Sequence, residues 1–152
     1  MPTALRVRDP DYEVRVRRSF ERQRFMALLG AELLAVEPGQ VQIGFTFRDD
    51  LTQQHGTLHA GVTTAIADSA CGYAALTLME PGTAVLSVEY KVNLLAPAAG
   101  NRFVATGQVV RSGRKLSVCT GEVRALAADG DTVVLLMQAT MIAVRGQAGR
   151  SD

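Results

Sequence analysis

The chain has 152 residues, 47% of them hydrophobic and 20% charged, with a formal net charge of +1. These are the proportions of one globular domain able to bury its own core, and they exclude a disordered chain. Near-balanced charge argues against an extended nucleic-acid face, and two cysteines 48 residues apart, Cys71 and Cys119, form neither a metal-binding pair nor a disulfide framework. A reducing, cytoplasmic setting fits that cysteine usage.

Residues 1–14 are expected to be a loosely ordered tail without the apolar run of a signal peptide, and 146–152 a second such tail. "SFERQRFMALLG", residues 19–30, has the spacing of an amphipathic helix, with Phe20, Met26 and Leu28 among its apolar positions and Gly30 as its stop. "AELLAVEPGQVQIGFTF" then predicts a hairpin that turns at Pro38-Gly39, with Val41, Ile43, Phe45 and Phe47 alternating toward one face. The longest helix is expected next, within "HGTLHAGVTTAIADSACGYAALTLM", residues 55–79, ending at Pro81-Gly82. This segment is long enough to span a membrane. Its small residues and its mid-length Asp68 favour a buried helix of a soluble protein instead. Four strand-like runs follow, "AVLSVEYKVNLL", "RFVATGQVVR", "KLSVCTGEVRALA" and "DTVVLLMQATMIAV". Their separators are short, which predicts consecutive strands as antiparallel neighbours. A helix apolar on every side must be enclosed, so the order predicts an α+β domain with a curved antiparallel sheet of about six strands around one long helix.

Asp68 carries the only formal charge between His55 and Met79. A carboxylate among apolar neighbours is costly unless it is paired, neutralised or placed in a cleft. It either faces solvent, or caps a neighbouring element, or is a perturbed functional group. His59-Ala60-Gly61 falls at the start of the helix, where unpaired N–H groups and the positive end of the dipole can hold an oxyanion. The alternative is a tight entry turn in which His59 satisfies a backbone carbonyl. Nine residues of helix are about 13.5 Å of rise and about 900° of rotation, so Asp68 is expected to point opposite to His59. One copy then cannot place both features at one reacting carbon, and a shared site requires a dimer.

"QQHGTLHAGVTTAIADSACGYAA", "LSVEYKVNLLAPA" and "VVRSGRKLSV" closely resemble the hotdog-fold acyl-CoA thioesterases of the phenylacetate-type (PaaI-like) family, over about residues 20–144. The resemblance implies a hotdog fold and hydrolysis of an acyl- or aryl-acyl-CoA, with no metal or redox cofactor, coenzyme A being part of the substrate. It aligns Asp68 with the catalytic general base or nucleophile and Gln53 with an amide that holds thioester or water. His59 aligns with the histidine of the oxyanion loop, and Ala60, with Gly61 beside it, with the backbone N–H that binds the thioester oxygen. Ser87 falls where some relatives place a water-positioning hydroxyl. Ala60 stands where glycine is usual and Gln53 where asparagine is common; alanine still supplies an N–H at negative φ. The resemblance also implies sites at subunit interfaces, in homodimers that often pair into homotetramers, and CoA contacts near the hairpin Arg111, Ser112, Gly113, Arg114 and Lys115. That turn is either a phosphate site or a solvated tip. Tyr73 and Leu76 are expected to line the acyl pocket. A non-catalytic acyl-CoA-binding protein is the alternative. A hotdog hydratase is disfavoured because no His follows Asp68, and Cys71 reads as a small buried apolar residue rather than a nucleophile.

Overall fold

The computed structural model describes residues 5–145. In chain order the elements are α1 (Tyr12–Arg22), α2 (Arg24–Leu29), β1 (Glu32–Glu37), β2 (Gln40–Thr46), a 3-10 turn (Asp49–Leu51), α3 (Ala60–Leu76), β3 (Thr83–Leu94), β4 (Arg102–Ser112), β5 (Leu116–Ala127) and β6 (Gly130–Arg145). The strands form one antiparallel sheet in the order β1-β2-β4-β5-β6-β3, and α3 packs against five of the six. This is the expected α+β hotdog arrangement. No described helix is long and apolar enough to cross a membrane.

The N-terminal helix is broken. Gln23 is extended (φ −81°, ψ 95°) and divides the expected single helix into α1 and α2. Met26 and Leu29 are buried while Leu28 faces outward, and Gly30, at φ 67°, ends α2 as expected. Of the stretch 1–14 expected to be loose, residues 1–4 lie outside the described residues. Asp9 is nonetheless buried, and α1 already begins at Tyr12. The tail expected over 146–152 also lies outside the described residues.

The hairpin forms around Pro38-Gly39, with Val41, Ile43 and Phe45 pointing into the core; Phe47 lies one residue beyond β2 and is half-buried. The expectation of consecutive neighbours holds for β4, β5 and β6 but fails for β3. That strand pairs with β6 alone, at the sheet edge, and β4 pairs with β2 on its other side. The connector after β3 is a crossover. It passes the end of the β5–β6 hairpin, where Leu95 N–H donates to Val134 O and Asn101 N–H to Leu126 O, both at 2.9 Å.

Small residues let α3 come down onto the sheet backbone. Gly107 of β4 and Gly121 of β5 are directly paired beneath it. A Cβ on Gly107 would stand 2.3–2.4 Å from the Ala70 carbonyl and the Cys71 nitrogen, and one on Gly121 would stand 3.0 Å from Cys71 Sγ. At its far end α3 is tied to α1. The Arg15 guanidinium donates to the carbonyls of Leu76, Met79 and Glu80 at 2.8–3.0 Å and lies 3.1 Å from Asp9, so the last orphan carbonyls are satisfied.

The sheet does not enclose the helix. Ala60, Gly61, Thr64, Ala65, Asp68 and Ser69 form a face it leaves uncovered. Phe25 from α2 and Tyr90, Val92 and Leu94 from β3 complete a groove of about 560 Å³ over that face.

Gly107→Ala is expected to cost about 3 kcal/mol, because the methyl meets backbone that cannot rotate away. Gly72→Ala, whose Cβ meets nothing nearer than Val85 Cγ1 at 4.0 Å, should gain up to about 1 kcal/mol of helix propensity. Thermal denaturation of the two variants should therefore shift in opposite directions.

Candidate active site

Asp68 is half-buried, and Ser87 Oγ donates to its Oδ1 at 2.7 Å. A bulge in β3 sits beside that contact: Ser87 pairs with Met141 and Glu89 with Thr140, leaving Val88 as the extra residue. Such a bulge re-aims side chains along a strand. Burial pushes the Asp68 carboxyl above its ordinary range, and the Ser87 hydrogen bond offsets part of that rise. Beyond the carboxylate lies a pocket of about 140 Å³, to which Gln23, Ser69, Gly72 and Tyr73 contribute.

The start of α3 is organised separately. His59 is the N-cap, and its Nδ1 accepts from the Gly61 N–H at 2.8 Å. A Cβ on Gly61 would press within 2.9 Å of that ring, so glycine suits the position. His59 thus caps the helix and does not bind a carbonyl through its ring, and the Gly61 N–H is engaged. The N–H of Ala60, at the first helical position, has no acceptor among the described residues. Gln53 lies beside it in a second recess with Thr57, Leu58 and Thr63. Its Nε2 donates to Thr57 Oγ1 at 2.9 Å and its Oε1 accepts from the His55 N–H.

The two clusters do not face opposite ways. Ala60, Gly61 and Asp68 line one groove, because seven residues of helix turn about 700° and bring Gly61 and Asp68 to nearly the same face. What separates Ala60 from Asp68 is axial: eight residues, about 12 Å. One chain therefore holds a carboxylate–hydroxyl pair and, well apart, an unengaged N–H with an amide beside it.

Tyr73 lines the pocket behind Asp68. Leu76 does not: it is fully buried in the core, and its carbonyl is held by Arg15. Ser112, Gly113, Arg114 and Lys115 border a shallow recess beside Leu78, Met79 and Glu80, past the C-terminal end of α3, whereas Arg111 lies on exposed β4 backbone outside it. Sixteen residues of helix, about 24 Å, separate that end from Ala60. The sequence reading missed Gln23 and Ser69. Ser69 Oγ donates to Gln23 Oε1 at 3.0 Å, and Gln23 Nε2 donates to Tyr73 Oη at 3.2 Å. The one available signal was a polar residue inside an otherwise helical pattern.

A long central helix packed on one six-stranded antiparallel sheet, with an isolated acid on that helix and an open N–H at its start, is a hotdog thioesterase framework. Residues 55–131 match the Thioesterase superfamily, and the chain belongs to that superfamily. Human acyl-coenzyme A thioesterase 13 is 31% identical over 102 residues, 66% of this chain and 69% of that protein. The 1,4-dihydroxy-2-naphthoyl-CoA hydrolase of Listeria monocytogenes is 28% identical over 90 residues, 59% of this chain and 73% of its own. The matches span 65% to 73% of the length of these and other curated relatives. Among solved structures, a thioesterase family protein from Silicibacter pomeroyi is 47% identical with a TM-score of 0.87, covering 89% of this chain and 99% of that one. The E. coli PaaI protein from the phenylacetic acid degradation operon shares the fold at 21% identity and a TM-score of 0.79, over 90% of this chain and 96% of its own.

The raised carboxyl has a sign that stability can read. A folded-state value above the unfolded one means that Asp68 favours the fold below the unfolded value and loses that contribution as pH rises through the folded value. Asp68→Asn, neutral throughout, should therefore melt higher than the parent at pH 8, with the gap closing as pH falls toward the ordinary carboxylate range. Ser87→Ala removes the donor that lowers the value, so the Asp68 titration followed by carboxyl NMR should move further up.

Proposed function

We propose that this protein hydrolyses acyl-CoA thioesters to a free acid and coenzyme A, at sites built between two copies of the chain. The observation that carries the reading is the division of the groove: a hydroxyl-bonded, desolvated carboxylate in one place and an uncommitted N–H about 12 Å along the same helix. The printed activities of the human and Listeria relatives support the chemistry.

The edge strand gives the pairing a physical reason. β3 is twelve residues long, has a partner on one side only, and exposes Leu86, Val88, Tyr90 and Leu94. An apolar edge of that length calls for a cover, and a second β3 related by a two-fold axis supplies one. The same axis turns the second α3 end for end and carries its Ala60 toward the first Asp68. Pairing of such dimers would make the homotetramer.

In each site the thioester oxygen accepts from the Ala60 N–H of one copy, with Gln53 beside it to hold thioester or water. His59 keeps the helix start in shape by its bond to Gly61. Asp68 of the other copy, positioned by Ser87, takes a proton from water as the water oxygen bonds to the carbonyl carbon. The oxyanion then collapses, the C–S bond breaks, and the CoA sulfur leaves as thiolate and takes up the proton. If Asp68 instead attacks directly, a mixed anhydride forms and water splits it. The hairpin Arg111–Lys115 supplies cations for the CoA phosphates, and Tyr73 borders the acyl group.

Asp68→Asn should lower kcat by about 10²-fold or more, measured as thiol released from a panel of acyl-CoAs. Ala60→Pro is the sharper test. It deletes the donor at a helix position where proline is well tolerated, after a residue already extended at φ −61°, ψ 134°. Turnover should fall about 10²–10³-fold with the melting temperature nearly kept. Refolded together in equal amounts, the two inactive variants should regain about a quarter of parental activity, since half the dimers are mixed and each carries one intact site. No recovery would place the whole site within one copy, and acyl-CoA binding without turnover would make the protein a carrier or sensor.

A further inference from the structure

We infer that Gln23 is a specificity-determining residue: it closes the far end of the acyl site and selects acyl groups ending in a hydrogen-bonding atom over alkyl chains of equal size. The inference rests on the thioesterase reading above and names the substrate class for that site. The pocket behind Asp68 holds about 140 Å³, close to the roughly 150 Å³ of a cavity that accommodates benzene, so about six heavy atoms fit. One wall is Gly72, where a side chain is missing. Beside it the lining is polar. Ser69 Oγ bonds to Gln23 Oε1, Gln23 Nε2 bonds to Tyr73 Oη, and Ser19 Oγ stands 3.4 Å from the same phenol oxygen.

An amide carries two N–H donors and two acceptor lone pairs. Each end of Gln23 uses one of them in this network. Gln23 lines both the pocket and the groove, so its remaining donor and acceptor stand where an acyl chain passing Asp68 ends. A methyl terminus there strips water from the amide and from Ser69 without replacing the bonds, whereas a hydroxyl or carbonyl terminus restores them. Sites built to bond a polar group discriminate strongly against analogues that lack it. The chain geometry serves the same end. Gln23 sits at the break between α1 and α2, in extended conformation, and that break is what sends its amide across to α3.

The test compares hexanoyl-CoA with 5-hydroxypentanoyl-CoA, which have the same number of acyl heavy atoms, in the parent, Gln23→Leu, Ser69→Ala and Tyr73→Phe. The parent should favour the hydroxylated ester by at least about tenfold in kcat/KM, and Gln23→Leu should bring the ratio to unity or invert it. Ser69→Ala and Tyr73→Phe should each reduce it. A purely structural role for the network would lower both rates together, and an unchanged ratio would overturn the inference. If circular dichroism shows that Gln23→Leu has not folded, Ser69→Ala decides. Should the parent turn over neither ester, the hydrolysis reading fails, and calorimetric affinities for the same two esters still decide the pocket: a preference lost in the variants supports it, and equal affinities overturn it.

Discussion

The structure depends on the contact between the α3 backbone at Ala70–Cys71 and the bare backbone of Gly107, with Gly121 beside it under the Cys71 side chain. Where a helix lies within reach of sheet carbonyls, neither partner can rotate or slide without a collision, so the helix has one azimuth. Asp68 precedes Ala70 by two residues, about 200° around the barrel, so pressing Ala70 into the sheet turns Asp68 away from it, toward β3 and the open groove. The alanines at 67, 70, 74 and 75 are needed for that closeness. The placement of Asp68 is therefore a by-product of how tightly this helix is seated.

Seating an acid in that position opposes stability, since burial disfavours its charge. The protein offsets the cost locally, with one serine hydroxyl re-aimed by a β-bulge, rather than removing it. A carboxylate reluctant to ionise yet still ionisable suits the general-base role proposed for Asp68. The apolar edge of β3 is a comparable compromise. The chain exposes leucine, valine and tyrosine side chains there, the edge that the proposed second copy would cover.

The N-terminal arm joins these features. Arg15 gathers three carbonyls at the end of α3 and is itself met by the buried Asp9, so α1 is anchored across the helix rather than hanging beside it. From that anchor the chain breaks at Gln23, and the amide reaches the wall of the pocket behind Asp68. The arm is thus a scaffold for one side chain at the site.

The sequence by itself determined what local pattern can determine. Period-two alternation marked β2, strand-like runs between short separators marked β3 to β6, turn residues marked the hairpin at Pro38-Gly39, a run of small residues marked α3, and the isolation of Asp68 marked it as unusual before any partner was known. Each of those signals lies within a few residues of what it describes. It is packing that pairs β3 with β6, breaks the first helix at Gln23, turns Leu76 into the core and brings Asp68 to Ser87. These facts concern residues brought together from up to about 60 positions apart, or the direction of a side chain around a helix. Both follow from how whole elements pack, and no window along the chain contains that information.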